Sequence, residues 1–168
     1  MTENLPDLIW VPSHEFLNQE RRFIADSIAE IGVDKINSMV VVAVKYRGNA
    51  YTPYSNYDVG ASVLTITGKI YAACNSENVG YSPTNHAEGT AIAIANNTGI
   101  AKENRKYIKA VAVVHGGDSG PCGECLQRIV EHADNCLIII ADPEGNIRKL
   151  TSLKTLLPDN FNPSHLGL

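Results

Sequence analysis

Two short stretches of the chain, Pro83-Thr84-Asn85-His86-Ala87-Glu88 and Pro121-Cys122-Gly123-Glu124-Cys125, place metal-binding and acidic residues where apolar-periodic segments begin. A β-rich run, Lys109–His115, separates them, and a second, Cys136–Ala141, follows. Helix, strand, helix and strand in that order predict one sheet sandwiched by helices, with some parallel pairing. The two helices then start beside each other at the strand ends. One opens with His86 to Glu88 and the other with Cys122 to Cys125.

The rest of the chain fits the same α/β plan. From Ser13, residues Phe16, Ile24, Ile28 and Ile31 recur near helical spacing, with Ser13 as N-cap and Gly32 as the stop. The next segment is open: the β-branched run Val40 to Val44 suits a strand, whereas Ile36, Val40, Ala43 and Arg47 suit one helical face. Two β-rich runs flanking Thr67-Gly68-Lys69 predict a hairpin. A helix is expected from about Thr84 to Asn97, and a turn at Pro143–Asn146, a short strand and a short helix before Pro158 complete the pattern. Met1 to Pro12, with two prolines and no sustained period, reads as an arm. At 168 residues the chain is long enough for one domain with a core that needs no staples.

The four cysteines sharpen into a metal question, because Cys122 and Cys125 have the C-x-x-C spacing that binds metal or does redox work. His86, Cys122 and Cys125 would give zinc three ligands, leaving a fourth tetrahedral position for water, as in catalytic sites. Cys74 and Cys136 border apolar strands and read as small buried residues. Helix N-termini favour thiolate at Cys122 and Cys125. Glu88 stands two residues past His86, badly placed for a second ligand from the same turn but able to reach the water as a proton shuttle. A lone C-x-x-C would equally suit structural zinc, and a lone acid at a helix start suits the dipole. The combination matches the signature of zinc deaminases.

Composition excludes other classes. The net charge is −4 and no Lys/Arg cluster appears, so no polymeric nucleic acid is expected as partner. The longest apolar run, Met39 to Val44, is far short of a membrane span, and the acidic N-terminus lacks a signal layout. A soluble, intracellular, cytoplasmic protein is expected.

The residues from about Asn49 to Pro163 resemble the cytidine deaminase family. "AYTPYSNYDVGASVL", "CNSENVGY", "PCGEC" with Gln127, and "LLPDNFNP" are each similar to a family segment. The resemblance implies a three-layer sandwich with a mixed five-stranded sheet flanked by helices, and makes the open segment a helix. It divides the chain into an arm and extra helix, 1–33, and one catalytic domain, 34–168. It implies that His86, Cys122 and Cys125 bind zinc and that Glu88 moves protons while water attacks C4 of cytosine and ammonia leaves. Asn75 and Glu77 match the pair that bonds the ribose hydroxyls; without the resemblance they read as turn residues. Tyr57 stands where the family has phenylalanine against base or sugar, and Phe161 matches an aromatic that closes a neighbouring subunit's pocket, implying a homo-oligomer, tetramer or dimer.

Small-chain members that look like this one generally carry cysteine at His86 and arginine at Gly89, and the two changes agree electrostatically. Three thiolates leave Zn²⁺ net negative, whereas one imidazole and two thiolates leave it formally neutral. Leu126 also replaces a usual arginine, and "HGGDSG" precedes Pro121. The implied reaction is hydrolytic deamination of cytidine or deoxycytidine. Another amino-heterocycle, such as an antibiotic or modified cytosine nucleoside or a purine, is the alternative substrate. A non-enzymatic module with structural zinc is the rival class.

Overall fold

The computed structural model describes residues 11–167. The arm expected over Met1–Pro12 lies, apart from its last two residues, outside them. Ser13 caps the first helix, α1 (His14–Ile31), by accepting the Phe16 N–H at 3.0 Å, and Gly32 ends it. The segment left open by composition is a helix, α2 (Val33–Arg47). Ile36, Met39, Val40 and Ala43 bury on one side of it while Val41 is exposed, so a face with helical spacing outweighs the β-branched run.

The hairpin forms between β1 (Gly60–Thr65) and β2 (Ile70–Cys74). Then follow α3 (Ala87–Asn96), a short α4 (Ile100–Glu103), β3 (Ile108–Val114), α5 (Gly123–His132), β4 (Leu137–Ala141), β5 (Ile147–Ser152) and a short α6 (Leu153–Leu156). A 3-10 turn over Pro163–Leu166 closes the chain. The five strands form one mixed sheet in the order β2-β1-β3-β4-β5, parallel only between β3 and β4.

Alternation along the central strands splits the core into two layers. Val111, Val113, Ile138 and Ile140 pack with Ile92, Ile129 and Leu153 on the face of α3 and α5. Ala110, Ala112, Val114, Leu137 and Ile139 pack with Ile36, Met39 and Val40 on the face of α2. Both faces of β3 and β4 are covered, which is why these strands read as continuous apolar runs. Gly60 lets β1 approach α2 closely: a β-carbon there would stand 2.0 Å from the Ala43 carbonyl oxygen. The extra helix α1 packs on α2 and β5, and its buried Glu20 accepts hydrogen bonds from Ser152 Oγ and, at 2.9 Å, from Asn135 Nδ2. No helix among the described residues is long and apolar enough to cross a membrane.

Two details differ from the sequence expectation. The helix expected from Thr84 begins at Ala87, because Asn85 is drawn into backbone pairing with Ser76. The short helix α4 and the 3-10 turn carry too few residues to show a period.

Candidate active site

The two helix openings lie side by side at one end of the sheet. His86 and Cys122 are the N-cap residues of α3 and α5, both with extended backbone and neither donating a side chain to the cap. Serine, threonine, asparagine and aspartate serve best at such positions. Here the capping bond is forgone and the side chains turn toward one another. His86 Nδ1 is 3.3 Å from Cys122 Sγ and 3.3 Å from Cys125 Sγ. All three donor atoms lie within 4.8 Å of one another, forming the only such cluster of three or more ligand residues among the described residues.

This donor set fits zinc. Tetrahedral bonds of zinc to nitrogen and sulfur separate those two atoms by about 3.6 Å, close to the observed approach. Burial pushes the Cys125 thiol well above its usual range, and the Glu88 carboxylate and Cys122 add to that. A divalent cation reverses this penalty, since ligation requires thiolate. Cys74 and Cys136 stay out of the cluster; Cys136 is fully buried as expected, whereas Cys74, at the end of β2 on the edge of the sheet, is only half-buried.

Glu88, the second residue of α3, is only 5% exposed. It lines a cavity of about 430 Å³ together with His86, Cys122, Tyr57, Asn75 and Glu77. The structure thus brings seven of the eight site residues expected from sequence, Cys125 included as His86's neighbour, to one place. Phe161, the eighth, is 60% exposed, stacks on His165 and lies outside that cavity.

Another part of the cavity wall is built by the chain leaving β2. Residues 75–77 are held between Tyr51 on one side and Asn85 on the other, so their backbone is tied directly to the start of the metal helix. Asn75 accepts the Val59 N–H at 2.9 Å and donates to the Tyr57 carbonyl at 2.9 Å. An amide retains further donor and acceptor capacity for a ligand. Glu77 Oε2 accepts the Tyr54 N–H at 2.9 Å and the Ser55 N–H at 3.2 Å. Hydrogen bonds from the Ser55 hydroxyl and from these amides hold its carboxyl below the usual range.

Two further residues change the reading of the sequence. Leu126 points into the core beside Ile129 and Val130 and does not line the cavity, so its replacement of arginine leaves the cavity wall alone. His115, by contrast, lines the cavity at the end of β3. A histidine closing an apolar strand is not distinguishable in sequence from a satisfied core residue; the glycine-rich segment after it was the available signal.

Comparison with known proteins places this geometry in context. Residues 33–141 match the family model for the cytidine and deoxycytidylate deaminase zinc-binding region. A cytidine deaminase of Sporosarcina psychrophila is 37% identical over 135 residues, covering 79% of this chain and 95% of that protein. A cytidine deaminase of Mycobacterium tuberculosis is 36% identical over 121 residues, or 71% and 84% of the two chains. The crystal structure of the Burkholderia pseudomallei cytidine deaminase superimposes with a TM-score of 0.65 at 35% identity, covering 74% of this chain and 97% of that one.

Proposed function

Because the chain belongs to the cytidine and deoxycytidylate deaminase family, we propose that it hydrolyses cytidine to uridine and ammonia, with His86, Cys122 and Cys125 holding zinc and Glu88 carrying protons. The observation that carries this is the approach of His86 Nδ1 to both thiol sulfurs at 3.3 Å, beside a buried Glu88 that opens into the same cavity. Zinc with three protein ligands supplies the acidity that brings a water molecule toward hydroxide near neutral pH.

The chain supplies the remainder. Glu88 takes the two protons of the attacking water in turn on a carboxylate oxygen, delivering one to the ring N3 next to the attacked carbon and the other to the departing amino nitrogen, so that uridine and ammonia leave with both. Its burial keeps that carboxylate out of bulk water and fixed near the metal cluster. Asn75 and Glu77 bind the sugar hydroxyls, and Tyr57 forms part of the same cavity wall. The hydrogen bonds that Val59, Tyr57, Tyr54 and Ser55 make to this pair set its orientation before the sugar arrives. A sugar-binding pair of this kind rejects a ligand that leaves it unpaired. Deamination of cytidine against free cytosine tests the assignment. A strong preference for the nucleoside that Glu77→Ala erases is expected, and equal use of both by the native enzyme counts against it.

The catalytic unit proposed is residues 34–168, with 1–33 an added arm and helix. The start of the family match at residue 33 supports that division. Assembly is proposed as a homo-oligomer, dimer or tetramer, in which Phe161 of one subunit closes a neighbour's pocket. Its exposure and its distance from the cavity of its own chain support this, and light scattering tests it. The enzyme is further proposed to serve pyrimidine salvage in the cytoplasm, with deoxycytidine as a second substrate.

A further inference from the structure

His115 is 3% exposed, and all the polar capacity of its ring is committed. Its Nε2 lies 2.8 Å from the Ser119 carbonyl oxygen. A carbonyl only accepts, so Nε2 carries the proton and Nδ1 is the bare acceptor. The single lone pair of Nδ1 is then shared by two donors, the Gly117 N–H at 2.9 Å and the closer Tyr57 hydroxyl at 2.7 Å. The tautomer fixes the direction of that last bond: Tyr57 donates its only hydroxyl proton to His115, and its oxygen offers lone pairs alone to anything else in the cavity.

Tyr57 is consequently held at both ends. Its carbonyl accepts from Asn75, and its hydroxyl is tied to the ring that closes β3. Ser119 and Gly117, which fix the imidazole, belong to the loop that leads into Pro121 and Cys122. One hydrogen-bonded chain thus runs from the loop before the metal helix, through His115 and Tyr57, to Asn75.

We propose that His115 is a positioning residue for nucleoside binding, which holds the Tyr57 side chain as a fixed, acceptor-only wall of the cavity. It acts through Tyr57 and touches none of the reacting atoms. The proposal rests on the deaminase reading above, since that reading gives the cavity its occupant.

A double-mutant cycle on the zinc-loaded enzyme tests it, with cytidine as substrate. Loss of one positioned hydrogen bond is expected to raise KM roughly tenfold in Tyr57→Phe and in His115→Leu, with kcat within about twofold of the native enzyme. If His115 works through Tyr57, the double variant is no more than about twofold worse than Tyr57→Phe. His115→Asn, whose Oδ1 stands where Nδ1 does, is expected to keep KM within about threefold. Fully additive losses, a fall in kcat at constant KM, or no change in His115→Leu would each overturn the proposal.

Nitrogen-15 spectra of the imidazole keep the test independent of whether His115→Leu folds. A neutral ring protonated at Nε2 is expected, with an Nδ1 resonance that moves in Tyr57→Phe. A proton on Nδ1, or a resonance indifferent to Tyr57, contradicts the proposal. A native enzyme inert toward cytidine counts instead against the deaminase reading, and the imidazole spectra then still decide the His115–Tyr57 pair.

Discussion

Arg128 lies across Gly89: its Cδ is 3.0 Å, and its Nη1 3.3 Å, from the point where a β-carbon at position 89 would stand. The guanidinium is paired with Glu124 one turn earlier on α5, at 2.7 Å. The sequence gives an electrostatic reason for glycine here, because a histidine and two thiolates need no neighbouring cation. The structure shows that this space is taken by a flexible, half-exposed side chain of the adjacent helix, which a larger residue at 89 must displace. Gly89→Arg is expected to break the exposed Arg128–Glu124 pair at a cost of no more than about 1 kcal/mol. His86→Cys alone should reduce kcat/KM by roughly tenfold to a hundredfold, the range in which altered metal surroundings act. Adding Gly89→Arg should recover part of that loss, and more of it when Arg128→Ala clears the space; no recovery in either variant would contradict the electrostatic account.

Glu88→Gln removes the proposed proton carrier and keeps the shape. Zinc content should stay at one ion per chain while kcat falls roughly a thousandfold, within the span attributed to general acid–base catalysis. Metal analysis beside steady-state kinetics checks this, and unimpaired turnover would remove Glu88 from the mechanism.

The two residues proposed to bind the sugar should respond differently. Asn75 is nearly buried and satisfies the Val59 N–H and the Tyr57 carbonyl. Its replacement by alanine strands both groups, so it should cost about 1–3 kcal/mol of stability as well as affinity. Glu77→Gln should raise KM and leave the melting temperature nearly unchanged. Thermal melts of the two variants, set beside their KM values, distinguish these behaviours.

Glu77 also sets a pH dependence. Its folded-state pKa is lowered, so its contribution is fully present above the ordinary value of 4.5 and is lost as pH falls through the lower folded value. KM for cytidine should thus show no titration of Glu77 at and above mildly acidic pH, where the carboxylate stays ionised, and its protonation should weaken binding only below the ordinary value. A KM profile that already titrates near neutrality in the native enzyme, and flattens in Glu77→Gln, would reverse this sign.

Metal removal separates catalytic from structural zinc. The sheet and both core layers are built without the cluster, and α3 and α5 also meet through Ile92, Leu126 and Ile129. Cys122→Ser or chelation should therefore abolish turnover yet leave a cooperative, if lower, melting transition. Complete unfolding on loss of the ion would mark it as structural.

Much of this was legible in the sequence, for identifiable reasons. The three proposed metal ligands, which the fold does bring within 4.8 Å of one another, sit where local chemistry is decisive, at the openings of two helices. The first helix was bounded by Ser13 and Gly32, and both serve as its caps. What was not legible depended on distant partners. The start of α3 is set by Asn85 pairing with Ser76. Composition left α2 open between strand and helix, a choice made by which face meets the sheet; the family resemblance made it a helix, and it is one. His115 becomes a site residue only because the fold lays Tyr57, 58 positions away, against its ring.

The most direct measurement is the ultraviolet absorbance of cytidine mixed with purified protein shown to hold one zinc per chain, with ammonia assayed in parallel. Rapid loss of the cytosine band with matching ammonia release is the expected result. An unchanged spectrum with no ammonia, in that same zinc-loaded sample, would contradict the assignment of His86, Cys122, Cys125 and Glu88 to cytidine deamination.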